Sequence, residues 1–304
     1  MAVQTRTIKR RIKSVKNTRK ITKAMEMVAA SKMRKAVNSV IGSRPYSKLA
    51  WNTVKSIGSR VDVTLHPLLR KEATVKKVLV LLITSDKGLA GGFNTNILRK
   101  TRKRIEEMGE GIEIQTICIG KRGADAMRRM NLPIMASFID ITNNTKFEEV
   151  LPIGRMLIDE FTKENFDQVL VAYTDFVSAV TQHPIILELL PLGSEEEMDQ
   201  IGDVNEVEQI EEKTFLEANE YTFEPSPQLV LNHILPRLVE TMVYQAVLES
   251  SASEHSARMM AMRSATDAAG DMLDELTFTF NQARQAGITQ EIAEISSGKA
   301  ALEG

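Results

Sequence analysis

The 304-residue chain has a single cysteine, Cys118. One thiol cannot build an intramolecular disulfide framework or a Cys-rich metal cluster, and it fits a reducing compartment. Aromatic residues make up only 5%, with one Trp, against 15 Met. That balance points to extended helix–helix seams rather than one thick aromatic core. Long hydrophobic runs are missing too. The longest purely apolar stretch, 78–83, has six residues, far short of the roughly 20 that a membrane-crossing helix needs. The four histidines, His66, His183, His233 and His255, are scattered without metal-ligand spacing. No Ser/His/Asp order with a nucleophile elbow occurs. These absences lead us to expect no catalytic residue, no metal and no cofactor, and a mechanical or scaffolding role.

Charge, by contrast, is abundant and unevenly placed. The total balances at 39 Lys+Arg against 40 Asp+Glu. Residues 1–40, however, carry 12 Lys+Arg and one acid, Glu26, for a local net of +11. Residues 194–224 carry 12 Asp+Glu and one Lys, Lys213, for a local net of −11. Such asymmetry marks an interaction arm or tail. The basic end is compatible with a solvated helix face, an Arg-rich presequence, or a surface for nucleic acid or anionic lipid.

Periodicity divides the chain into parts. Apolar and small residues at Ile8, Ile12, Val15, Thr18, Thr22, Met25, Ala29, Met33, Ala36 and Val40 step by three and four. This predicts a helix over about 5–57 whose seam faces a partner helix. Pro45 should kink it and Gly58 end it. The seam runs unbroken from Ile8, which argues against a cleaved presequence. Over 75–192 short Val/Ile/Leu runs (78–83, 112–119, 134–139, 168–173) alternate with helical stretches (94–108, 123–130, 147–163). Fully apolar strands between amphipathic helices predict a mostly parallel, doubly wound Rossmann-like sheet. A last run, 184–190, flanked by Pro184 and Pro191, suits an antiparallel edge. Residues 193–224 read as an acidic solvated loop.

From Ser226 and Pro227 a second seam continues through Leu231, Leu238, Met242, Leu248, Ala252, His255, Met262, Thr266, Ala269, Leu273, Phe280 and Gly287. A helix running from there to about Ser296 would be ~100 Å long at ~1.5 Å per residue. The N-terminal helix is the one comparable element in the chain, so the two are expected to pair antiparallel as a coiled coil. The expected domains are therefore an N-terminal helix, 1–57, an α/β domain, 75–192, the acidic loop, 193–224, and a C-terminal helix, 226–304.

The turn SDKGLAGGFN at 85–94 follows the first strand, where dinucleotide folds bind pyrophosphate. It is neither G-x-G-x-x-G nor a Walker loop. A tight strand-to-helix turn is the simpler reading, and no direct nucleotide binding is expected.

These residues carry a resemblance. NTRKITKAMEMVAASKMR at 17–34 resembles the start of the gamma subunit of rotary F-type ATP synthases. The turn at 85–94 is similar to that family's S-D-R-G-L-C-G-G-x-N, with Lys87 for Arg and Ala90 for Cys. ASEHSARM at 252–259, ATDAAG at 265–270 and NQARQAGITQEI at 281–292 are similar as well. The resemblance implies a non-catalytic central-stalk rotor that couples proton flow to ATP synthesis or hydrolysis. It turns inside a ring of alpha and beta subunits, its base attaches to the epsilon subunit and the membrane c-ring, and it is peripheral at the cytoplasmic side of an inner membrane. It also implies subunit contacts through Lys23, Met25, Lys32, Arg258, Arg284, Gln285 and Thr289. Redox control through an inserted cysteine pair is not available here, since Cys118 stands alone. Two other classes remain to be separated: a basic coiled-coil protein that binds nucleic acid, and a nucleotide-dependent enzyme built on the α/β layer.

Overall fold

A computed structural model describes residues 2–60, 66–72, 74–109, 111–143, 145–192 and 226–303. The expected acidic loop, 193–224, therefore lies outside the described residues. The element order is α1 (Ala2–Arg60), β1 (Lys77–Ile83), α2 (Phe93–Glu107), β2 (Glu113–Ile119), α3 (Lys121–Arg129), β3 (Ile134–Phe138), α4 (Phe147–Thr162), β4 (Gln168–Phe176), β5 (Gln182–Leu190) and α5 (Pro227–Glu303). The helix α1 passes through Pro45 and Gly58 without a break, three residues beyond its expected end. The chain divides into two compact units, one made of 30–258 and the other of 1–29 with 259–304.

The unit of 30–258 is built on a five-stranded sheet of order β3-β2-β1-β4-β5. Strands β1 to β4 run parallel, and β5 pairs antiparallel to β4 at the edge, with Pro184 opposite Thr174. The central strand β1 explains the layering. Its six residues after Lys77 are all buried, and the period of two sends alternate side chains to opposite faces. Leu79, Leu81 and Ile83 join Ile153, Leu157 and Phe161 of α4 and Leu231, Leu235 and Val239 of α5. Val78, Val80 and Leu82 join Ile97 of α2, Ala124 and Met127 of α3, and Cys118. Each buried Leu, Ile, Val, Phe or Met among these contributes roughly 1.5–3 kcal/mol. The first turns of α5 thus cover a face of the sheet before the same helix meets α1, where Val40 packs with Leu248, Ala252 and Phe176.

The unit of 1–29 with 259–304 is a helix pair. The Thr266 hydroxyl lies 2.9 Å from that of Thr22, and Gly270 faces Arg19, so the order of contacts is antiparallel. Ala29, Met262, Thr266 and Ala269 are buried. Seam positions Ile8, Ile12, Val15, Thr22 and Met25 are half-buried, whereas Thr18, expected on the seam, is exposed.

Candidate functional site

Two surfaces carry the polar side chains that a function could use. The first lies in the unit of 30–258, where the Gly-rich turn, the loop after β3 and α5 converge. The turn is shaped by its own side chains. Asn94 Oδ1 accepts from the Ser85 backbone N–H at 3.0 Å, Asn94 Nδ2 donates to Ser85 Oγ at 2.7 Å, and Ser85 Oγ lies 2.7 Å from the Lys87 carbonyl. Leu89 and Gly91 adopt left-handed φ of 63° and 55°.

The anion site that a parallel α/β sheet offers at a helix N-terminus is filled from within. Asp86 Oδ1 accepts from the Lys121 N–H, the first residue of α3, at 3.0 Å, and Asp86 Oδ2 accepts from the Asp140 N–H at 2.9 Å. Thr84 Oγ1 accepts from the Gly123 N–H at 2.8 Å and donates to the Ile119 carbonyl at 3.1 Å. Gly120, at φ 92°, lets strand and helix come this close. A Cβ there would lie 2.2 Å from the Thr84 carbonyl oxygen.

Against this turn stands the polar stretch of α5. Arg258 Nη1 donates to Glu254 Oε1 at 2.7 Å, and Arg258 Nη2 donates to the carbonyls of Lys87 and Gly88 at 3.2 and 3.4 Å. Glu254 Oε2 accepts from the Thr142 hydroxyl at 3.0 Å, and Ser251 Oγ donates to the Thr142 carbonyl at 2.6 Å. Burial raises the Glu254 carboxyl above its ordinary range, while Arg258 and Thr142 pull it back. His255, on the seam as expected, is pushed down to about 4, by burial first and then by Arg258 and Lys32, so its ring is neutral. Its Nε2 has no partner. Lys32 Nζ donates to Asn143 Oδ1 at 3.1 Å.

The second surface belongs to the helix pair. Met25 is half-buried, and Lys23 is exposed and paired with Glu26 at 3.0 Å. Arg284, Gln285 and Thr289 are all exposed, and Thr289 Oγ1 donates to the Gln285 carbonyl at 3.0 Å. Beyond Gly287 every described side chain through Lys299 is exposed, with Ile288 at 50%, Ile292 at 62% and Ile295 at 74%.

The expected contact residues therefore fall in two places. Lys32 and Arg258 sit in the convergence around the turn, bonded within the chain. Lys23, Met25, Arg284, Gln285 and Thr289 lie on the helix pair. The single-sequence reading missed Glu254, Thr142 and Asp86. For Glu254 a signal existed, since its spacing of four to Arg258 puts the two on one helix face. Asp86 and Thr142 act across loops with no local signature.

Among the described residues no group of three His, Cys, Asp or Glu could hold a metal ion, and no helix is long and apolar enough to cross a membrane. Cys118 is buried, and burial pushes its thiol up to about 11, which leaves it a core residue without thiolate reactivity.

The family described as ATP synthase matches residues 4–302. An ATP synthase gamma chain from Nitrosomonas eutropha is 41% identical over 298 residues, covering 98% of this chain and 99% of its own. The solved central stalk and c-ring of the Tetrahymena thermophila mitochondrial ATP synthase contains a chain with 28% identity and a TM-score of 0.60, covering 81% of this chain and 99% of that one. The rotor of the Euglena gracilis mitochondrial ATP synthase shares the fold at a TM-score of 0.62 and 19% identity, covering 95% of this chain and 100% of that one. Nothing in these likenesses supports a nucleic-acid-binding coiled coil. A full-length match of this kind, on a sheet flanked by two long terminal helices, means that the chain belongs to the gamma-chain family of ATP synthases.

Proposed function

We propose that this chain is the central-stalk rotor of a proton-translocating ATP synthase and contributes no catalytic group of its own. Its partners are the alpha and beta chains of the catalytic ring, the epsilon chain and the membrane c-ring. It sits peripherally on the cytoplasmic side of an inner membrane. The helices 1–57 and 226–304 form the shaft, and 75–192 form the base. The observation that carries this reading is the end of α5. Three isoleucines at spacings of four and three, each half or more exposed, give a helix an apolar face that another chain must cover.

Torque requires that each orientation of the shaft stabilise one set of ring conformations over the others. A charged, non-symmetric rod meets that requirement. Lys23, Met25, Lys32, Arg258, Arg284, Gln285 and Thr289 are assigned to the contacts with the ring. Arg284 offers a five-donor fork suited to loop carboxylates. Gln285 and Thr289, four apart, share one helix face. Arg258 serves differently. Its guanidinium is committed to Glu254 and the turn, so it reaches the ring through the position it gives that turn. The α/β layer is assigned support rather than a nucleotide site, since the turn at 85–94 is closed by bonds between its own Ser85 and Asn94 and its Lys87 carbonyl is taken by Arg258.

The test is assembly with alpha, beta and epsilon chains, followed by ATP-driven proton pumping in vesicles. Gln285→Leu should slow steady-state turnover roughly tenfold, the loss of one charge-assisted contact, with nucleotide affinity in the ring unchanged. Met25→Lys should reduce pumping per ATP hydrolysed more than it reduces assembly. Failure of the chain to co-purify stoichiometrically with the ring chains would overturn the reading.

A further inference from the structure

One group of charges, built around two buried carboxyls and a partly exposed arginine, stands apart from the contacts assigned above. Arg44 of α1, Asp175 of β4 and Glu249 of α5 meet inside the unit of 30–258. The carboxylate side chains are only 4% and 2% exposed. Arg44 Nε donates to Glu249 Oε1 at 3.4 Å. Arg44 Nη2 lies 3.9 Å from Asp175 Oδ1 and spends its donor on the Phe176 carbonyl at 2.6 Å. Glu249 Oε1 also accepts from Gln245 Nε2 at 2.7 Å, and the Ser43 and Ser47 hydroxyls of α1 lie 2.6 and 3.2 Å from Gln245 Oε1. One cation thus faces two carboxyl groups. Two oxygens remain without any donor, Asp175 Oδ1 and Glu249 Oε2.

Two carboxylates in one buried place cannot both ionise at low cost, and a buried acceptor with no donor is expensive to leave. A single proton between the two groups answers both difficulties at once. It also brings the cluster to zero net charge: one carboxylate, one carboxylic acid and one guanidinium.

We propose that Glu249, buried beside the Asp175 carboxyl, keeps a proton at neutral pH, and that its loss as pH rises loosens the joint of α1, β4 and α5, making the cluster a pH-sensitive clamp within this unit. Every charged or titratable group facing the pair fits that role. Among the described residues Arg44 alone is cationic there. Tyr173 of β4 is held protonated by burial and by the two carboxyls. His183 of β5, opposite Asp175 in the register, is exposed. Burial, then Asp175, pushes the Glu249 carboxyl up to about 8, with Gln245 and Arg44 pulling it back. A carboxyl raised from 4.5 keeps its proton in the folded chain where the unfolded chain has lost it. Its contribution is full below that ordinary value and is lost as pH climbs through the raised one. Past that point the interior holds one uncompensated negative charge, and the three elements must part enough to admit water. This inference does not rest on the rotor reading.

The experiment uses the full chain and two variants, Glu249→Gln and Asp175→Asn, followed by infrared spectroscopy and amide hydrogen exchange between about pH 6.5 and about pH 9. The wild type should show the carbonyl stretch of a protonated carboxylic acid at the lower pH and lose it at the higher. The band should be missing from Glu249→Gln throughout. Exchange around Arg44, corrected for intrinsic rates, should quicken at least about tenfold more than the chain average in the wild type and less than about twofold in Glu249→Gln. Asp175→Asn removes the neighbouring charge and should move the loss of the band down by about one pH unit or more. Absence of the band in the wild type at the lower pH, or equal exchange responses in the wild type and Glu249→Gln, would overturn the proposal. Should Glu249→Gln not fold, an unmoved band in Asp175→Asn would do the same.

Discussion

Two stretches of the same helix, α5, treat water in opposite ways. Between 240 and 256 the polar residues Glu240, Thr241, Gln245, Glu249, Ser250, Ser251, Ser253, Glu254, His255 and Ser256 are all buried. Between 271 and 299 the apolar residues Met272, Phe278, Ile288, Ile292 and Ile295 are all exposed. The hydropathy of these named residues alone would place each set the other way round. What separates them is where the partners are. Glu240 meets Arg155 and Arg237 at 3.3 and 3.0 Å, Ser250 accepts from the Thr174 N–H at 3.0 Å, and Ser256 donates to the Ala179 carbonyl at 2.7 Å. The first stretch finds partners for its polar side chains within the chain, save at Glu249 Oε2, Ser253 Oγ and His255 Nε2. On the reading proposed above, the second finds its apolar contacts in other chains.

The contrast can be broken hardest from the packed side. Gly120→Ala places a Cβ against the Thr84 carbonyl at a backbone φ of 92°. We expect a loss of about 3–5 kcal/mol, from overpacking plus backbone strain, read as a broad, low-temperature circular-dichroism melt. A melt within a degree or two of the wild type would refute the close approach. Next comes Arg258→Ala, which strips a buried carboxylate, Glu254, of its cation and should cost about 3 kcal/mol of unfolding free energy, read by urea unfolding. Arg284→Ala, on the exposed stretch, should change that free energy by less than about 0.5 kcal/mol. Equal shifts for the two arginines would erase the difference between the stretches.

Acid offers a gentler probe. His255 is held down at about 4 against an ordinary 6.5, so the unfolded chain takes up a proton that the folded one refuses. Its stabilising contribution is complete above pH 6.5 and is lost as pH falls toward 4. Glu254 and Glu249, raised in the folded chain, titrate with the opposite sign, so only a difference between proteins isolates the histidine. His255→Gln should flatten the acid limb of the stability curve by about 1–2 kcal/mol relative to the wild type. The smallest effect on stability belongs to Ile288→Ser, Ile292→Ser and Ile295→Ser. Each should change the melt of the isolated chain by less than about 0.5 kcal/mol. Together they should raise its solubility and weaken assembly with the ring chains, measured by light scattering and by co-purification.

The layered part of the fold was readable because its signals are local. The run 78–83 and the parallel strands on either side of it, β2 and β4, are rich in β-branched residues and Leu, and Pro184 marks an edge where a missing N–H does no harm. The long seams were readable for the same reason, with Thr18 misjudged because small polar residues suit a close seam and a solvated face equally well. The packed polar stretch was not readable. A seam rule assigns one face to the interior, whereas residues 252–256 are buried all the way round, with the 140–145 loop, β4 and α1 contributing partners. Arg44 and Glu249 are 205 residues apart, and no spacing announces such a pair. Arg258 was legible as a residue with a role but not as one facing inward, although Glu254 one turn before it was the clue.

The helix pair also sets a timetable. Thr22 meets Thr266 across 244 residues of chain, and a ribosome adding about 5–20 residues per second needs roughly 12–50 s to cover that distance. Through that interval the amphipathic first helix has been made and its partner has not. A half-finished apolar stripe waiting for so long invites association with other nascent chains. The 12 cations among residues 1–40 repel their copies throughout the wait, a like-charge repulsion that opposes such association.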